Sequence, residues 1–79
     1  MSPTVFRDGP YRFHFFSREE PRIHIHVLSA DGEAKFWIEP DIELAKSVGL
    51  GRAELRRIEE LIVDHLEEIT DAWERHFGG

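Results

Sequence analysis

Between Arg22 and Val27 polar and apolar residues alternate. Period-two alternation predicts a β-strand that buries Ile23, Ile25 and Val27 and turns Arg22, His24 and His26 to the other side. Tyr11 to Ser17 repeats the pattern, with Tyr11, Phe13 and Phe15 on one face and Arg12, His14 and Phe16 on the other. Glu33 to Glu39 does so again, with Ala34, Phe36 and Ile38 inward and Glu33, Lys35, Trp37 and Glu39 outward. Turn signals separate these runs: Asp8-Gly9-Pro10, the polar Arg18–Pro21 stretch, and Asp31-Gly32, the strongest short hairpin signal in the chain. Val5-Phe6 is a short candidate for a first strand. Ile42 to Lys46 reads as a fourth strand or as a short helical turn, with alternation favouring the strand.

After Gly49-Leu50-Gly51 the period changes to 3.6. Leu55, Ile58, Ile62, Ile69, Trp73 and Phe77 recur at three- and four-residue steps, with Leu66 beside them, as one amphipathic helix requires. Gly51 is the expected N-cap with Glu54 at the third helical position, a capping box without its hydroxyl, and Gly78 is a natural stop. The expected fold is α+β: a three- to four-stranded antiparallel β-meander with one long C-terminal α-helix packed on one face. It forms a single domain, 1–79, with strands within about 4–47 and the helix over about 52–77. The other sheet face is left open. Matching faces across Asp31-Gly32 requires Trp37 near His24 or His26, and across the Arg18–Pro21 loop it places His14 opposite or diagonal to the same pair.

At 79 residues the core is thin, so stability is expected to depend on a partner or a second copy. The chain has no cysteine, which excludes disulfides and thiolate metal sites. No run is long and apolar enough to span a membrane, and no leader pattern opens the chain, so the expected location is the cytoplasm. The net charge of −6 hides a split: residues 1–38 balance five Lys/Arg against five Asp/Glu, and residues 39–79 set five against eleven. The acidity belongs to the helical half.

The open face collects Arg12, His14, Phe16, Arg22, His24, His26, Lys35 and Trp37. One reading is an RNA-binding or RNA-cleaving surface, in which Phe16 and Trp37 stack on bases and Arg12, Arg22 and Lys35 hold phosphates. His24 and His26 would then act as general base and acid on a ribose 2′-hydroxyl, with Lys35 or Arg22 stabilising the developing charge, without a metal. These make His24, His26 and Lys35 the candidate catalytic residues, and Arg12, His14, Phe16, Arg22 and Trp37 the candidate RNA or partner contacts. A second reading is a metal held by His24, His26 and His14 with Glu33 or Glu39. His-x-His alone is common, however, and no native metal or cofactor is expected. A third is a non-catalytic module that docks a partner protein or its own dimer mate, a role that Trp73, His76 and Phe77 at the helix end would share. His65 is expected at the helix edge, partly solvated. Leu55 to Glu60 reads as a helix face with Arg–Glu pairs at helical spacing. Gly49-Leu50-Gly51 lacks the Lys-Ser/Thr of a phosphate loop.

These residues resemble the small bacterial family catalogued as domain of unknown function 4160. The matching stretches are Pro3-Thr4-Val5, Tyr11-Arg12-Phe13 with Phe15-Phe16-Ser17, and Glu20-Pro21 with His24-Ile25-His26-Val27. They continue with Gly32-Glu33-Ala34-Lys35-Phe36-Trp37, Leu44-Ala45, Glu54-Leu55, and Ala72-Trp73 with His76-Phe77. Gly51 departs from the usual serine cap, and Arg22-Ile23 varies a proline-rich lead-in to the histidines. The resemblance implies a toxin-like component of a type II toxin–antitoxin pair, with a small protein encoded nearby as its partner. It carries no catalytic residues over. Toxin chemistry suits the RNA reading, and the need to meet an antitoxin suits the docking reading.

Overall fold

Each alternating run becomes a strand. The computed structural model describes residues 4–16 and 21–78. Five antiparallel strands lie side by side in chain order: β1 (Thr4–Asp8), β2 (Tyr11–His14), β3 (His24–Leu28), β4 (Glu33–Trp37) and β5 (Glu43–Val48). Two helices follow, α1 (Arg52–Asp64) and α2 (Leu66–Phe77). The α+β class is as expected, but two details differ. The meander has five strands rather than three or four, and the helical segment is broken at His65 rather than continuous. The expected connection at Arg18–Glu20 lies outside the described residues. No helix among the described residues is long and apolar enough to cross a membrane.

Both additional strands are edge strands, and each carries an extra residue against its neighbour. On β1 the register shifts between Thr4 and Phe6, and on β5 opposite the Lys35/Phe36 step. An extra residue lets side chains two apart face opposite ways. Leu44 therefore sits opposite buried Phe36, while Lys46 sits opposite Lys35 on the other face. Strict alternation cannot read such a strand, which is why Ile42 to Lys46 is ambiguous from sequence.

The turns obey different constraints. Gly9-Pro10 closes a two-residue loop between paired Asp8 and Tyr11, with Gly9 at φ 56°, the left-handed value that suits the first central position. Asp31-Gly32 does end a hairpin, but in a four-residue loop between paired Leu28 and Glu33, where the Ser29 N–H donates to Gly32 O at 2.9 Å. Gly32 is not at positive φ. It is required by close approach instead, because a Cβ there would collide with the Val48 carbonyl oxygen and the Gly49 backbone.

The core lies between the sheet and the helices. Phe13, Phe15, Ile25, Val27, Phe36 and Ile38 meet Ile58, Leu61 and Ile62 of α1 and Ile69 and Trp73 of α2. Burying each such side chain stabilises the fold by about 1.5–3 kcal/mol. At the start of α1 the Glu54 carboxylate accepts the Gly51 N–H at 3.3 Å. At His65 hydrogen bonding continues through the break: its N–H donates to Leu61 O at 3.0 Å, and its carbonyl accepts from Ile69 N–H at 2.9 Å. The imidazole is half-buried and stacks on Phe6 (3.9 Å between ring centroids), which stacks on Phe13 (4.2 Å). The kink thus pins the helices to the edge strand.

Candidate functional site

Directly opposed residues of antiparallel neighbours point to the same face, so the register assembles the face opposite the helices row by row. The central row crosses all five strands: Thr4, His14, His26, Lys35 and Lys46. At ordinary strand spacing it is about 19 Å long. A second row, toward the β1–β2 and β3–β4 turns, reads Arg7, Arg12, Leu28, Glu33 and Val48. The third, on the opposite side, contains His24, Trp37 and Glu43. No member of the central row carries a carboxylate. Two like-charged pairs stand directly across from each other, Lys35 with Lys46 and Arg7 with Arg12.

The predicted site residues are brought to one face, but they are not equivalent. His14 and His26 are direct partners, with ring centroids 5.5 Å apart. Phe16 leans on His26 at 4.2 Å and on His14 at 5.2 Å. The ladder between β2 and β3 ends at the His14–His26 pair, and His24 lies just beyond that end. Its ring touches Trp37 at 5.5 Å and Trp73 of α2 at 5.3 Å, and only 1% of its surface is exposed. His24 Nδ1 lies 2.7 Å from Arg22 O, a separation that fits an Nδ1–H donor to the carbonyl. His14 is buried too, with its Nδ1 fully enclosed. The face called open is therefore closed over two of its three histidines.

Trp37 differs from a bare stacking platform. The Arg22 guanidinium lies 4.3 Å from its ring centroid and the Lys35 ammonium 4.4 Å. Arg22 precedes the His24–Trp37 row and Lys35 follows it, so the two cations flank the indole along the strand direction, in cation–π contact. Arg22 also donates to Glu39 O at 2.9 Å and pairs with Glu43 at 3.3 Å. Arg12 Nε donates to Thr4 Oγ1 at 2.7 Å. Phe16 presents the more accessible ring, 46% exposed.

Sequence reasoning missed Arg7 and Lys46. The two-residue turn at Gly9-Pro10 could have placed Arg7 opposite Arg12, whereas the extra residue on β5 hides Lys46. The described cations outside the helices, Arg7, Arg12, Arg22, Lys35 and Lys46, all lie on this face with Glu33 and Glu43. Residues 52–77 hold four arginines against eight acidic residues. A hollow of about 420 Å³ opens over the central row, lined by His14, Phe16, His26, Lys35 and Lys46 with Leu28 and Glu33 at one side. Among the described residues no group of three or more His, Asp or Glu is arranged to hold a metal ion.

One family's sequence profile matches residues 11–74 of this chain, from the first residue of β2 to within four residues of the end of α2. The chain belongs to the family described as Domain of unknown function (DUF4160). The DUF4160 match takes in β2–β5, both helices up to Glu74, and every candidate site residue; Arg7 lies before it. No curated protein and no solved structure matches the chain.

Proposed function

We propose that this DUF4160 protein acts on RNA or the translation machinery through the sheet face opposite its helices, as the toxin-like component of a bacterial toxin–antitoxin pair. The observation that carries the RNA part is the central row, two imidazoles and two ammonium groups side by side without a carboxylate, beside an exposed aromatic ring. Cations hold a sugar–phosphate chain and aromatic rings take its bases. The acidic helices repel nucleic acid from the other side and so orient the encounter. The antitoxin half comes from the family resemblance, with a small protein encoded nearby as the partner.

The same row suits metal-independent cleavage. One imidazole takes the proton of a ribose 2′-hydroxyl, and the freed oxygen attacks the adjacent phosphorus. A neighbouring imidazolium protonates the departing 5′-oxygen, and Lys35 steadies the charge on the phosphoryl oxygens. His14 and His26 line the hollow and are the better-placed pair; His24, sealed between two tryptophans, positions His26. The second reading, a docking module for a partner protein or a second copy, is favoured by Leu28 and Val48, large apolar side chains exposed on this face.

Induction of the chain in a bacterial host, with total RNA examined beside growth, tests the proposal. Growth arrest with degraded RNA, lost in His14→Ala/His26→Ala protein that still folds, is the expected result for a ribonuclease. Arrest with intact RNA moves the target to the translation machinery. No arrest with folded protein, and partner capture lost in Trp37→Ala more than in either histidine variant, overturns the RNA reading in favour of docking.

A further inference from the structure

We propose that β5 pairs with β5 of a second copy of this chain, edge to edge and antiparallel, about a two-fold axis through Leu44. The inference concerns the sheet edge rather than the open face and does not depend on the RNA reading. β5 is the last strand of the sheet, so its outer edge pairs with no strand among the described residues. All six of its residues except Ser47 are exposed.

The order of residues in β5 selects its mate. Antiparallel pairing of two identical strands about a two-fold axis sets one residue opposite its own copy. Ala45 is the extra residue, so Glu43 and Lys46 occupy successive positions on the open face, with Leu44 between them on the helix side. An axis through Glu43 opposes two carboxylates, and an axis through Lys46 opposes two ammonium groups; both arrangements repel. An axis through Ser47 sets Lys46 against Val48 and runs Leu44 past the end of the mate. An axis through Leu44 sets Glu43 of each copy opposite Lys46 of the other and Leu44 opposite Leu44. Glu43, its side chain 65% exposed, pairs with Arg22 through Oε1 at 3.3 Å and keeps acceptor sites for a second cation. The Lys46 ammonium has three donors, so this pairing leaves it able to serve the open face as well.

The helix side fits the same axis. Leu44, 43% exposed, borders a hollow of about 260 Å³ with Phe36 and Leu55, rimmed by Arg52, Arg56 and Glu59 of α1. Leu44 of the second copy enters there and continues the core from one chain into the other. The rim carries both signs of charge, as a surface that meets its own copy requires. A lysine and an extra residue ordinarily blunt an edge against chance pairing. On β5 they exclude strands that lack a carboxylate opposite the lysine, and β5 itself supplies one. The axis stands perpendicular to the sheet, so both open faces point the same way and stay uncovered.

Sedimentation of the whole chain across the micromolar range tests this, for the natural chain, Glu43→Lys, Lys46→Glu and an equimolar mixture of the two variants. The natural chain is expected to form dimers. Each variant alone opposes like charges at both contacts and should self-associate about tenfold more weakly. The mixture opposes unlike charges at both contacts and should recover the natural dimer, which no effect on folding alone would produce. A natural chain that stays monomeric, or a mixture that associates no better than its parts, overturns the proposal. Oxidative cross-linking reads the register without the charge variants, because the chain has no cysteine of its own. Directly opposed Cα atoms lie about 4.5–5.5 Å apart, within disulfide reach. Leu44→Cys should therefore link into covalent dimers and Val48→Cys should not. Linking through Val48→Cys instead overturns the edge pairing and puts the second copy on the open face.

Discussion

At the scale of single residues, environment decides which groups are available for chemistry. Tyr11, the only tyrosine, illustrates this outside the site. Its hydroxyl donates to Glu54 Oε1 at 3.3 Å from a buried position. Burial pushes its pKa above the ordinary 10.0, and the Glu54 carboxylate adds to the rise. The unfolded chain therefore loses this proton first as pH climbs. The contribution to stability is fully present below pH 10.0 and falls as pH rises from there through the folded value. Tyrosinate absorbance of native protein should titrate with a midpoint above 10.0, and Glu54→Gln should move it part of the way back, since burial remains. A midpoint at the free-tyrosine value would contradict the burial and the contact. For His14, His24 and His26, alternation places all three side chains on the sheet face opposite the helices, as the register does. It cannot foresee that Trp73, from the far end of the chain, reaches His24, because that contact depends on where α2 ends over the sheet.

At the scale of elements, the strands from Tyr11 to Trp37 were legible because each keeps a clean period of two over a half-buried face. The edge strands were not, since the extra residue in each breaks the period where it is shortest. The helical break was hidden for a different reason. The apolar positions keep their 3.6-residue spacing through His65, so nothing in the pattern marks it, and what fixes the kink is the tertiary stack on Phe6. That stack predicts a particular mutational order. His65→Ala should destabilise the protein by about 1 kcal/mol through loss of the ring pair. His65→Phe should keep most of the stability, losing only the exposed Glu68 contact. Urea unfolding of the two variants measures this; equal loss in both would mean that the Glu68 contact, not the ring, holds the kink.

At the scale of the whole molecule, the meander sorts charge. The composition alone, acidic overall, argues against a nucleic-acid partner, and only the register shows that the described cations outside the helices share one face. The Arg7–Arg12 and Lys35–Lys46 pairs lie on either side of the histidine pair, so a bound strand would meet cations on both sides of any reacting phosphate. The most direct measurement is the salt dependence of single-stranded RNA binding, by fluorescence anisotropy, for the natural chain, Arg7→Gln/Lys46→Gln and Arg56→Gln/Arg57→Gln. Binding through this face predicts that log affinity falls with log salt by about 0.7 for each phosphate neutralised. The slope should flatten by about 1.4 when Arg7 and Lys46 are both removed, and it should stay unchanged in the α1 variant. No binding at low salt, or equal losses from the sheet and helix variants, would contradict the account.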